Sequence, residues 1–152
     1  MIVDIYIETT WKGFRKQTGF LAFVIVARYG RQPDYTDRMY STQKTPLSVQ
    51  EAYLRCTAAA VDRAARMARL KGCEEFNIIS TNPWVGHMYN NLDTWKGNGW
   101  KNSKGEEVKH KDYWLMIEQA AAGRKLNWIP ERTKESGLDG YQDWLLRTIK
   151  MR

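Results

Sequence analysis

The sequence predicts one α/β domain over residues 1–152, a mixed five-stranded sheet with helices packed on both faces. Three observations carry this. The length, 152 residues, is that of a single ordinary domain. Hydrophobic residues at 43% and charged ones at 27% are normal for a globular protein and supply a packed core without disulfide or metal staples. Third, apolar periodicity switches between two and 3.6 in the order three strands, helix, strand, helices, strand, helix.

The elements follow in chain order. Ile2–Glu8 alternates, with Val3, Ile5 and Ile7 on one side and Ile2, Asp4, Tyr6 and Glu8 on the other. Thr9–Thr18 is a basic turn holding Trp11, Lys12, Arg15 and Lys16. Gly19–Tyr29, β-branched and aromatic, is a second, buried strand. Gly30–Asp37 turns the chain and Arg38–Thr42 is a short third strand. Pro46–Lys71 is the main helix: Ser48 and Glu51 form a capping box, Leu54, Ala58, Val61, Ala65 and Ala68 recur at helical spacing, and Gly72 closes it. Glu75–Ser80 is a strand ending at Thr81-Asn82-Pro83, and Pro83 suits the first turn of a helix with Val85, Met88 and Tyr89. Asn91–Val108 reads as a polar, Gly-rich, basic segment, Lys109–Ala122 as a helix and Leu126–Pro130 as the fifth strand. A charged loop, Glu131–Gly137, leads to a terminal helix from Asp139 to Lys150.

The net charge of +7 suggests a polyanionic partner, nucleic acid being the commonest. Cys56 and Cys73 have neither metal-ligand spacing nor a disulfide framework and read as buried hydrophobes, which suits a reducing, cytoplasmic or otherwise intracellular compartment. Nothing resembles a signal peptide or the roughly 20 apolar residues of a membrane span, so no membrane partner is expected. A Walker loop, a dinucleotide fingerprint and a nucleophile elbow are all missing.

One segment carries a family resemblance. Trp95-Lys-Gly-Asn-Gly-Trp100-Lys-Asn-Ser-Lys-Gly-Glu-Glu-Val-Lys-His-Lys-Asp112-Tyr-Trp114 closely resembles the basic protrusion of type 1 ribonucleases H, with three tryptophans in register. The element order matches that family over essentially the whole chain. The resemblance implies a ribonuclease H-like fold and cleavage of the RNA strand of RNA–DNA hybrids. In that chemistry four carboxylates hold two divalent cations, Mg²⁺ or Mn²⁺.

Carried over position by position, the family's carboxylate set is incomplete. The first Asp, at the end of strand one, is here Glu8, one methylene longer. The second, a Glu in the main helix, falls in Arg55-Cys-Thr-Ala-Ala59, which holds no carboxylate; Glu51 and Asp62, about a turn away on either side, are candidate substitutes. The third, after the fourth strand, is Asn82, which also suits a helix N-cap. The fourth is retained as Asp143 in Asp139-Gly-Tyr-Gln-Asp143-Trp-Leu145. Arg132 stands where the family has a mobile histidine, and His87 and His110 read as surface or core residues. Glu8, Asn82 and Asp143 are thus the residual catalytic candidates, and Glu8 and Asp143 the metal ligands. The site's formal charge falls from about −4 to about −2.

The binding residues implied by the resemblance are Trp95, Lys96, Lys101, Lys104, Lys109 and Lys111 of the protrusion, with Lys12 and Arg15 of the first turn; Trp11 is a further candidate for stacking on a base or sugar. Trp100 and Trp114 read as packing residues. Three functions remain open. The domain binds hybrid or another A-like duplex with catalysis lost or weak; it is an active, remodelled metal-dependent ribonuclease H; or it is a scaffold for a protein partner.

Overall fold

The computed structural model describes residues 1–13, 15–28, 33–67 and 70–129, with the backbone alone over 33–35. Five strands, β1 (Ile2–Thr9), β2 (Gln17–Arg28), β3 (Pro33–Leu47), β4 (Glu75–Ser80) and β5 (Lys125–Ile129), form one sheet in the order β3-β2-β1-β4-β5. β1 runs antiparallel to β2, and β2 to β3, whereas β1–β4 and β4–β5 are parallel. The mixed five-stranded sheet is the one the sequence predicts.

Both faces of β1 are buried. Val3, Ile5 and Ile7 join the larger core beneath α1 (Val49–Arg66), whereas Tyr6 packs on the opposite face with Ala22, Val24, Val26 and Ile79. The terminal helix expected over 139–150 lies outside the described residues. Asp4, wholly buried on this second face, is paired with Arg28 at 2.9 Å and accepts from Asn77 Nδ2 at 2.9 Å. Asn77 Oδ1 in turn accepts from Asn127 Nδ2 at 3.0 Å. This polar row crosses β2, β1, β4 and β5, giving a buried charge the partners it needs.

Two expectations need correcting. The third strand is far longer than Arg38–Thr42, pairing with β2 from Gln17↔Leu47 to Arg28↔Pro33. It lies at the sheet's edge, where one side needs no apolar residues and Pro is tolerated near the ends, so its Asp- and Thr-rich start reads as a turn. The main helix begins after Pro46, with Ser48 Oγ accepting the Glu51 N–H at 3.1 Å, and ends at Arg66 rather than Lys71. Leaving the helix at Met67 lets Leu70 drop into the core. The polar, Gly-rich segment Asn91–Val108 also contains a short helix.

After β4 the chain makes α2 (Trp84–Tyr89), then α3 (Leu92–Gly97), then α4 (Lys111–Ala120). α3 was hidden by its polar composition, but Leu92 and Trp95, one turn apart, both point into the core. Among the described residues no helix is long and apolar enough to cross a membrane.

Candidate carboxylate pocket and nucleic-acid cleft

Glu8 stands near the end of β1 with its side chain 1% exposed. Its carboxylate is tied down locally. Oε1 accepts the Thr81 N–H at 3.0 Å, and Oε2 accepts the hydroxyls of Tyr53 at 3.1 Å and Thr81 at 3.0 Å. The strand fixes Glu8, the parallel β1–β4 pairing brings Thr81 alongside, and α1 lays Tyr53 across the top. Burial, and then the Glu8 charge beside it, push the Tyr53 phenol up to about 12, so it stays a neutral donor.

The second and third positions are committed as well. Asn82 Oδ1 accepts the Trp84 N–H at 2.9 Å, a turn just ahead of α2, whose N-cap is Pro83 rather than the Asn82 the sequence suggests. In the window Arg55–Ala59, Cys56 lies under β2 with Sγ 3.4 Å from the Ala22 carbonyl, and burial pushes its thiol far up. Thr57 donates to Tyr53 O at 2.7 Å. Glu51 lies 3.6 Å from both Arg55 and His110, and Asp62 pairs with Arg66 at 3.1 Å; neither is among the hydrogen-bond partners of Glu8. A cavity of about 220 Å³ opens here, its polar lining drawn from Thr57, Ser80, Asn82, His87 and Asn90. Among the described residues no three His, Cys, Asp or Glu side chains group as a metal site would need. A pair of divalent cations does not fit these donors. Asp143, Asp139 and Arg132 lie outside the described residues.

A larger cleft, about 810 Å³, separates the start of α1 from the segment 101–110. Trp84, Met88, Trp95, Val108 and Trp114 form its apolar side, and Lys16, Lys101 and Lys109 reach it from two sides. The segment is a tight turn. Asn102 Oδ1 accepts the N–H groups of Lys104 and Glu106 at 2.9 and 3.1 Å, and Lys101 and Glu107 meet in an isolated antiparallel bridge.

No family model matches the chain. Sequence relatives are named ribonuclease H. One from Legionella pneumophila (strain Lens) is 32% identical over 74 residues, 44% of this chain and 52% of that protein. Another, from Acetivibrio thermocellus, is 39% identical over 57 residues, 36% of this chain and 39% of the relative. Among solved structures, the PFV RNase H domain superposes with a TM-score of 0.66 at 15% identity, covering 99% of this chain and 94% of that one. LC11-RNase H1, solved with an RNA/DNA hybrid, gives 0.61 at 13% identity, covering 98% and 97%. The chain is similar in sequence to proteins named ribonuclease H and shares the fold of solved RNase H domains. It spans about half or less of the length of the sequence relatives it matches.

Within this ribonuclease H fold the predicted binding residues separate into groups. Lys12, Arg15, Lys101, Lys104, Lys109 and Lys111 are exposed. Lys111 sits over the Trp100 ring at 5.1 Å, and Lys96 is held by Glu118 at 2.6 Å, a hydrogen bond that raises its pKa.

Two tryptophan expectations are corrected. Trp95 is only 7% exposed and packs edge-on to Trp114 at 5.4 Å, so it belongs to the core, with one edge bordering the cleft. Trp11 is 3% exposed and spends its Nε1–H on the Leu47 carbonyl at 3.0 Å, leaving no free ring face for a base.

The protrusion is also less basic than its lysines suggest. Between residues 91 and 112, Lys96, Lys101, Lys104, Lys109 and Lys111 face Asp93, Glu106, Glu107 and Asp112, a net charge of +1. The first turn, by contrast, holds Lys12, Arg15 and Lys16 with no carboxylate between residues 9 and 18.

Sequence reasoning missed Tyr53. The absence of any acid in Arg55–Ala59 was the available signal. Tyr53 lies one turn before Thr57 on the same helix face, and its phenol reaches the carboxylate of β1.

Proposed function

We propose that this domain binds RNA–DNA hybrid, or another A-like duplex, along the cleft between α1 and the 101–110 turn, with metal-dependent cleavage lost or weak. The observation that carries this reading is the commitment of Glu8. Its carboxylate is buried and satisfied by Tyr53 and Thr81, while the lysines around the cleft stay in solvent.

Magnitudes favour binding over cutting. Two divalent ions about 4 Å apart repel by roughly 17 kcal/mol at an effective dielectric of about 20. Relatives of this fold offset that with four carboxylates. Here Glu8 would first have to give up hydrogen bonds to a charged acceptor, each contributing about 1.5–3 kcal/mol. Nucleic-acid binding makes no such demand, since exposed lysines gain affinity by releasing counterions from phosphates. With so few base-reading groups, recognition would rest on duplex shape and sugar hydroxyls. Support also comes from structural neighbours. LC11-RNase H1 was solved with an RNA/DNA hybrid, and the foamy viral protease–reverse transcriptase with a hybrid and with double-stranded DNA.

The test is a hydrolysis assay on an RNA–DNA hybrid with Mg²⁺ or Mn²⁺, run beside a binding titration against salt. Binding without turnover is expected. Sustained turnover that disappears in Glu8→Ala or Asp143→Ala would establish the active enzyme instead. Binding that ignores salt, or no binding at all, would leave the protein-scaffold reading.

A further inference from the structure

The acidic residues of the protrusion are placed where phosphates would go. Glu106 and Glu107 both line the cleft, as do Lys101 and Lys109. The Lys101↔Glu107 bridge sets those two residues directly opposite each other, an arrangement that holds Cβ atoms about 4.5–5.5 Å apart on one face. The turn cannot readily carry Glu107 away. The Asn102 N–H donates to Glu106 O at 2.8 Å, the Val108 N–H to Trp100 O at 2.8 Å and the Gly105 N–H to Asn102 O at 3.0 Å, and Gly105 takes the left-handed conformation (φ 79°) that closes the turn. A phosphate approaching Lys101 therefore meets the charge of a carboxylate on the residue directly opposite.

We propose that Glu107, assisted by Glu106, is a built-in competitor for phosphate, whose charge, set opposite Lys101, repels an incoming phosphate and so lowers and grades the affinity of the cleft for nucleic acid. This rests on the proposed function and adds its regulation. Neutralising Glu107 lets Lys101 meet one phosphate without that opposing charge.

The experiment compares the full-length chain with Glu107→Gln and with Glu106→Gln/Glu107→Gln, binding a short fluorescent RNA–DNA hybrid across a salt series. One added phosphate contact steepens the slope of log affinity against log salt by about one, which makes Glu107→Gln about ten-fold tighter near 50 mM salt, the gap closing toward 1 M. Glu75→Gln is the control for net charge: Glu75 is exposed and faces Lys125 across β4–β5, outside the cleft. Its affinity should change less than about two-fold. In a Lys101→Ala background the gain from Glu107→Gln should vanish. If Glu107→Gln binds like the wild type, gains no more than Glu75→Gln, or keeps its gain without Lys101, the competitor is overturned while the proposed function stands. If neither wild type nor variants bind the hybrid at low salt, the proposed function falls and takes this inference with it.

Discussion

Replacing Tyr53 by Phe removes one hydroxyl and nothing else from the buried side of α1. The ring keeps its packing, but Glu8 Oε2 loses the donor now 3.1 Å away while keeping the Thr81 hydroxyl. A hydrogen bond to a charged acceptor contributes about 1.5–3 kcal/mol, so a loss of about 2 kcal/mol is expected, or a drop of about 4–8 °C in Tm for a chain of this size. Glu8→Gln alone should cost less, because an amide can exchange donor and acceptor roles with two rotatable hydroxyls. The decisive quantity is the coupling between the two, measured by urea unfolding of wild type, both single variants and the double variant. Coupling of about 1.5 kcal/mol or more is expected for a direct charged hydrogen bond. Coupling below about 0.5 kcal/mol would refute the idea that Tyr53 secures the Glu8 carboxylate.

Further outcomes follow from the same geometry. The Tyr53 phenol is raised from 10.0 to about 12, so between those pH values the folded state holds a proton that the unfolded state has lost. Stability is therefore intact below about pH 10 and falls by roughly 2–3 kcal/mol as pH rises toward 12; Tyr53→Phe should lose that component, and matching alkaline curves for the two proteins would contradict the shift. Asp4→Ala strands Arg28 and breaks the polar row, costing about 3–5 kcal/mol by chemical denaturation, whereas a change under about 1 kcal/mol would mean the row contributes little. Replacing Lys101, Lys104 and Lys109 together by Ala should weaken binding to all nucleic-acid sequences alike and flatten the salt slope by up to about three, with Tm nearly unchanged. A sequence-selective loss would count against phosphate contacts. Trp95→Ala should behave oppositely, costing about 3–5 kcal/mol of stability as a core truncation.

The sequence discloses what periodicity and caps record. Alternation in β1, the run of β2, the Ser48 cap and the Glu75–Ser80 strand all appear where their residues place them. β3 was foreshortened because an edge strand can be polar, and pairing with β2 rather than its own composition makes it a strand. α3 was missed because six residues with only two inward positions carry too little periodic signal. In the pocket, the sequence singles out Glu8 and Asn82 by position but not what they touch. A hydrogen bond from Tyr53 to Glu8 joins residues 45 apart in sequence and depends on how α1 lies on the sheet. Trp95 and Trp11 misled for a related reason. A tryptophan among lysines looks like a stacking platform, and only packing reveals whether its faces are taken.

Counting Mn²⁺ ions bound per full-length chain, by titration followed by electron paramagnetic resonance, bears most directly on the pocket. With Glu8 held by Tyr53 and Thr81, the account predicts at most one weakly held ion and no magnetic coupling between neighbours. Two tightly bound, spin-coupled ions, lost together in Glu8→Ala, would contradict it.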